Sequence, residues 1–486
     1  MDAQVEKPLA AMFPLPFRVL FLVGLGILGW ATNLHGLERL GVDGPSVLEL
    51  QDRSCLPLQS SPPSRKKQLP TRVFYAPLYR LFVIYSLWCF GAWLLYRVQT
   101  CSNVAVVDVF AYIPGVCILS VLTVLLCTTD IVHKRERDSF LLAAGRCCFP
   151  ASDSQIYFSD VIFADILTSY AKVLGDLWLS FWMLLPGGSL LSVPTHEGWV
   201  QWVLPCLMSL PYAIRLRQCL IEYWSLSNTS RRPLLNAIKY ASSFPVIFLS
   251  AAQRLVESEL VKIGGEPASH KAWHGEHPLF RLWLVAVVIN SLYSFWWDLT
   301  NDWGLDVLKF RRTEFPLHQD GLQSSRALSF HRTTRHGSAY PYGLRPVLLY
   351  PLPVYSLVVF LNLVLRMTWS VKLSSHLHLQ SEGSVAIFCL EVAEVLRRWM
   401  WVFLRIEWEV VRRGKDRERA ADGLELFDAH KDLLLNDAIN IGHHRDPIID
   451  NYGGDTLDKL YRAPSRFNSM LWRTEVLHDA GCHNLH

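Results

Sequence analysis

Apolar positions gather into blocks of roughly 20 residues or more, parted by polar stretches. They fall at residues 13–34, 76–97, 104–128, 157–185, 199–225, 233–256, 279–303, 345–370 and 384–410. A helix rises about 1.5 Å per residue, so each block can cross a hydrocarbon layer about 30 Å thick. The pattern predicts an all-α chain, a polytopic transmembrane helical bundle. It has nine spans, or ten if the stretch SFLLAAGRCCFP at 139–150 adds a short or re-entrant piece. The first block follows Lys7 and could be read as a secretory leader, but its apolar run is long and no clear small-residue cleavage site precedes Asn33.

The blocks set the organisation. Residues 1–34 hold the N-terminus and first span, and 35–75 form a polar linker containing SSPPSRKKQLPTR. The bundle occupies 76–410, interrupted by a loop at 306–344 rich in His, Arg, Ser and Gly, and 411–486 form a polar tail. That tail, with amphipathic stretches such as LELFDAHKDLLL, reads as solvated with a marginal helix.

Composition adds little to this picture, but the distribution of charge adds more. The net charge is only +4, yet Lys134, Arg135, Arg137 and Arg146 crowd one loop, Arg231 and Arg232 another, and Lys309, Arg311 and Arg312 a third. The loops at 186–198 and 371–383 hold no Lys or Arg and one Lys respectively. The alternation follows the positive-inside rule and predicts a cytosolic C-terminal tail, with the N-terminus on the other side if the spans number nine. The 11 cysteines show no CxxC or metal-ligand spacing. No metal, cofactor or nucleic-acid partner is expected, the lipid bilayer is, and a homodimer is left open.

Several blocks carry charge that a bilayer tolerates poorly. Asp298 and Asp302 sit four apart in NSLYSFWWDLTNDWGL, so on a helix both project from one face. Lys239, Arg366, Arg397 and Arg398 lie at depth in the sixth, eighth and ninth blocks, with Asp165 in the fourth and Glu394 in the ninth. Charge at such depth is costly and usually paired or functional. Asp160, Lys172, Asp176 and Arg405 are better read as structural pairs or residues reaching for the interface. A shared polar cavity accounts for the rest together. Guanidinium forks match oxyanions, and converging cations repel unless anions neutralise them. An oxyanion substrate is therefore favoured over a metal cation, with Asp298, Asp302 and Glu394 as counter-charges or a gate. Trp369 and Trp399 are candidates to line or gate the path, although bundle aromatics more often simply pack.

QCLIEYW, LLNAIKYAS, SLYSFWWDLTNDWGL, LVLRMTW and EVLRRWMWVFLRIEWE, in this order, resemble the EXS-domain family over residues from about 16 to 410. Within that family the chain looks like the ER-retention-defective branch. The resemblance implies movement of inorganic phosphate through the bundle, along a path of Asp165, Thr168, Lys239, Arg366, Arg397 and Arg398. Asp298, Asp302, Glu394 and Trp369 fall on further motif positions. Thr168 stands where the family has asparagine, which offers more hydrogen bonds. No counterpart of the N-terminal SPX domain is seen, so control by inositol pyrophosphates is not expected. The branch implies a multi-pass Golgi membrane location, cycling with the ER, and return of lumenal phosphate from glycosylation to the cytosol. That recycling would support retention of ER lumenal proteins and Golgi glycosyltransferases. A scaffold that sorts Golgi enzymes by binding cytosolic factors through its tail is the alternative. An enzyme is not expected, since no nucleophile motif is present.

Overall fold

The computed structural model describes residues 9–50, 70–101, 103–127, 133–149, 156–192, 198–225, 228–264, 278–305, 307, 344–345, 348–372 and 385–443; side chains at 257–264, 368–372 and 419–443 lie outside the description. The chain divides into two compact units, residues 1–415 and 416–486. In the second, the described residues 416–443 are helical backbone, so LELFDAHKDLLL is helix where only marginal helicity was expected.

The first unit is helical, with no strand among the described residues. Its helices are α1 (Leu15–Arg39), α2 (Arg72–Thr100), α3 (Tyr112–Leu126), α4 (Lys134–Cys148), α5 (Phe158–Ser169) and α6 (Ala171–Leu184). They continue as α7 (Val203–Trp224), α8 (Arg232–Ala241), α9 (Ser243–Gly264), α10 (Pro278–Trp297), α11 (Leu352–Lys372) and the part of α12 (Val385–His443) up to residue 415.

Four stretches are long and apolar enough to cross a membrane: α1, α2, Arg232–Val256 across α8 and α9, and Pro278–Asp302. The helices Tyr112–Leu126 and Leu352–Met367 are apolar but shorter. The chain is thus a helical membrane protein with four clear apolar spans among the described residues. The piece expected at 139–150 belongs to α4, whose 15 residues begin KRERD and reach only about 22 Å.

Helix α2 shows why composition looked so apolar. It leaves Leu87, Trp88, Phe90 and Val98 outside the packed interior, as a lipid-facing surface would. The interior lies elsewhere. Val19 and Leu22 of α1 pack with Phe388, Val392 and Val395 of α12. Further along, Thr32 accepts a hydrogen bond from Trp399 Nε1 (2.9 Å), and Leu34 and Leu37 join Trp401, Val402, Leu404 and Ile406. Past the end of α1, Glu49 pairs with Arg413 at 2.9 Å. Rising numbers in one helix meet rising numbers in the other, so α1 and α12 run parallel.

The block at 157–185 is not one helix. It breaks at Tyr170, between the 12 residues of α5 and the 14 of α6; these span about 18 and 21 Å, each short of a bilayer. Tyr170 holds the break in place: its hydroxyl donates to Leu22 O of α1 at 3.0 Å, crossing over Gly26, where a Cβ would overlap that hydroxyl. A second interruption separates α8 from α9 at Ser242. A third is the π-helical turn Asp298–Asp302 that ends α10. Irregular backbone at membrane depth occurs where protein or a polar cavity can satisfy it, and all three interruptions surround the same cavity.

Candidate functional site

The π turn changes how the two aspartates sit. An α-helix was expected, but the turn closes with Trp303 N donating to Asp298 O at 2.9 Å. Wide turns of this kind often mark functional positions. Both carboxylates still reach one partner: Lys239 Nζ lies 3.3 Å from Asp298 Oδ1 and 3.0 Å from Asp302 Oδ2. The turn ends at Gly304, with φ of +60°, and the Trp408 ring lies where a Cβ would stand. Only glycine combines that conformation with that contact.

Asp298 is the hub. Arg366 reaches its Oδ2 from Nε at 2.9 Å and from Nη2 at 2.5 Å. Asn362 Nδ2 donates to the same oxygen at 3.1 Å, and Arg397 Nη1 stands 3.9 Å away. One carboxylate with no solvent exposure thus faces three cations from α8, α11 and α12. Pairs this deep are held by their mutual geometry, and removing one partner strands the other at a cost of about 3–5 kcal/mol.

Glu394 sits one turn before Arg397 on α12 and takes its fork twice, at 2.9 Å from Nε and 2.6 Å from Nη2. It also accepts from Ser169 Oγ at 2.9 Å. Ser169 and Thr168 end α5, and the break beyond them turns their hydroxyls toward α12. There they meet Arg398, whose Nε donates to Ser169 Oγ at 3.0 Å and whose Nη2 donates to Thr168 Oγ1 at 2.8 Å. Its guanidinium carbon lies 4.6 Å from the centre of the Trp401 ring.

Arg398 differs from the other three cations. It is 6% exposed, its partners are neutral, no carboxylate pairs with it among the described residues, and its Nη1 has no hydrogen-bond partner there. An isolated charge out of water costs several kcal/mol. The group faces a cavity of about 40 Å³, lined also by Thr168, Tyr212, Lys239, Tyr240, Arg366, Glu394 and Arg397. Serines and an amide complete the wall, namely Ser243, Asn290, Ser291 and Ser294. Since one water needs some 10–15 Å³ of such space, the cavity holds about three waters, the scale of one small oxyanion.

The structure therefore gathers Thr168, Lys239, Arg366, Glu394, Arg397 and Arg398 around one space and places Asp298 and Asp302 directly behind it. Asp165 is not among the residues that line the cavity. It accepts from Arg215 Nε (2.8 Å) and from the hydroxyl of Tyr240 (2.5 Å), which does line it. Arg215 is a buried cation on α7. Sequence reasoning passed over Arg215, although an arginine in the middle of LMSLPYAIRLRQCL was signal enough. Asn362, Ser169 and Asn290 were missed too; neutral polar residues stand out little in an apolar helix. Trp369 lies on the backbone of α11, its side chain outside the described residues, and Trp399 packs on α1 through Thr32.

Asp160, Lys172, Asp176 and Arg405 each sit in an ion pair. Arg146 pairs with Asp160 at 2.8 Å, Lys172 with Asp176, and Arg405 with Glu409 at 3.4 Å. No His, Cys, Asp and Glu cluster suited to a metal occurs among the described residues.

Comparison with known proteins agrees with the motif reading. The EXS family model matches residues 13–411. Protein ERD1 homolog 1 of Schizosaccharomyces pombe is 32% identical over 407 residues, covering 82% of this chain and 91% of that protein. Protein ERD1 of Kluyveromyces lactis is 28% identical over 257 residues, 52% of this chain and 58% of its own length. SPX and EXS domain-containing protein 1 of Dictyostelium discoideum is 26% identical over 321 residues, 65% of this chain but 30% of that longer protein. The family match runs through every helix that lines the cavity, and on that extent the chain belongs to the EXS family.

Proposed function

We propose that this protein is a transporter or channel for inorganic phosphate in the Golgi membrane, returning lumenal phosphate to the cytosol. In this reading it acts by transport rather than as an enzyme, and retention of ER lumenal proteins and Golgi glycosyltransferases follows from the phosphate balance it keeps. Family membership supports the reading, and one observation carries it: Arg398 is a buried guanidinium bordering a small cavity with only hydroxyls as partners. Lys239, Arg366 and Arg397 are held back on carboxylates, so they supply positive potential without collapsing into the cavity. An arriving oxyanion meets one unpaired fork, the geometry guanidinium binds best.

Purified protein in liposomes should take up radiolabelled phosphate, and Arg398→Ala should lower the rate by about two orders of magnitude, the size of effect expected when a buried charge-assisted contact is lost. Uptake by Arg398→Ala at the wild-type rate would remove the site assignment. Deleting residues 416–486 tests the scaffold alternative, since uptake should survive while any sorting carried by the tail is lost.

A further inference from the structure

The charges around the cavity do not balance, and the imbalance specifies the ion. Four cations, Lys239, Arg366, Arg397 and Arg398, meet three carboxylates, Asp298, Asp302 and Glu394. Beside this set, Arg215 pairs with Asp165, while Arg405 lies 3.4 Å from Glu409, which Arg412 and Arg413 also reach, and 4.0 Å from Asp302. One positive charge remains, and it sits on Arg398. In a poorly solvating interior an anion of charge one restores neutrality, while a dianion leaves a negative excess with nothing to offset it. Near neutral pH inorganic phosphate divides between singly and doubly charged forms, whereas sulfate is a dianion throughout.

The wall supports the same choice by hydrogen bonding. Glu394 lines the cavity, 5% exposed, and is fixed by the Arg397 fork and Ser169. An ionised carboxylate accepts and never donates. Toward sulfate or any fully ionised oxyanion it presents lone pairs to lone pairs, but toward a P–OH it is a partner. Ser291 and Ser294 carry hydroxyls that can serve either way, whereas Thr168 Oγ1 donates to Asp165 O at 2.7 Å. We infer that the site takes phosphate as the singly charged dihydrogen form, and that Glu394 is the specificity residue that turns away sulfate. This rests on the phosphate reading above.

Uptake into liposomes at a series of pH values tests it without any variant. Above the second ionisation of phosphate, the apparent KM for total phosphate should rise about tenfold per pH unit, as the singly charged fraction falls. Lys239, Tyr212, Tyr240 and the carboxylates Glu394, Asp298 and Asp302 could themselves titrate, so thiophosphate, whose second ionisation lies lower, separates the cases. Control by the ligand's form moves the thiophosphate curve to lower pH, whereas titration of the protein makes the two curves coincide and overturns the inference. Sulfate in excess should compete poorly with wild type, and in Glu394→Gln it should compete at least about tenfold better, read as displacement of bound phosphate from detergent-purified protein. Sulfate competing on equal terms with wild type would also overturn the inference. If wild type neither binds nor moves phosphate, the phosphate reading itself fails.

Discussion

Two clusters of buried charge on α12 invite comparison, and the one around Arg398 borders the cavity. Around Glu407 the account is closed. Arg345 meets this carboxylate at 2.5 Å and donates to Trp303 O at 2.7 Å, while Tyr355 OH (2.5 Å) and Leu349 N (2.8 Å) also donate to Glu407. One cation faces one carboxylate, and Trp408 packs beneath the guanidinium at 5.5 Å. Two to three turns earlier on the same helix, cations outnumber carboxylates, and the surplus one faces open space. Burial and ionic character are alike in the two regions. What separates them is whether charge is matched and whether room is left beside it, so depth in an apolar helix is by itself a poor guide to function.

That contrast can be broken at four places. Arg345→Ala should cost most, about 3–5 kcal/mol, because it leaves the buried Glu407 carboxylate without its counter-charge; denaturation of purified protein should show it, with uptake per folded molecule little changed. Arg398→Ala should do the reverse. Its stability should stay near wild type or rise, since no carboxylate is stranded, while uptake falls about a hundredfold, or roughly 3 kcal/mol of lost interaction. If Arg398→Ala unfolds the protein as Arg345→Ala does, the two clusters are of one kind. Gly304→Ala should cost about 1–3 kcal/mol from its left-handed backbone alone, more if the Trp408 ring cannot yield, and a lowered Tm would report it. Arg146→Ala should matter least, below about 1 kcal/mol, because the Arg146 side chain is 31% exposed to water; a Tm shift as large as that of Arg345→Ala would mean the Asp160 pair bears on the core.

The sequence held the membership of the site better than its wiring. Lys239, Arg366, Arg397 and Arg398 were legible because charge in an apolar block has few explanations. Their convergence could be argued, but which of them stays unpaired could not, since that depends on partners brought from α5, α10 and α11. Asp165 shows the limit. Its depth resembled that of Asp298, yet Arg215 on another helix claims it, and no periodicity reports such a pairing. The break at Tyr170 was hidden for a similar reason. FSDVIFADILTSYAKVLGDLWL has no Gly–Pro punctuation at that point, and the interruption is enforced by a tyrosine reaching across to α1. The π turn likewise keeps α-like residue spacing and differs only in hydrogen bonding. Bundle character and the long apolar helices were readable throughout; of the nine or ten spans expected, four stand out as long and apolar among the described residues.

The parallel course of α1 and α12 carries a consequence of parity. Each enters at the end where Phe13 meets Phe388 and leaves at the end where Glu49 meets Arg413. Between them the chain must cross back to the face from which it started, which takes an odd number of passages, so the passages from α1 through α12 are odd in number. Tags placed before Leu15 and just after Lys415 should then be reached from opposite sides of a sealed vesicle.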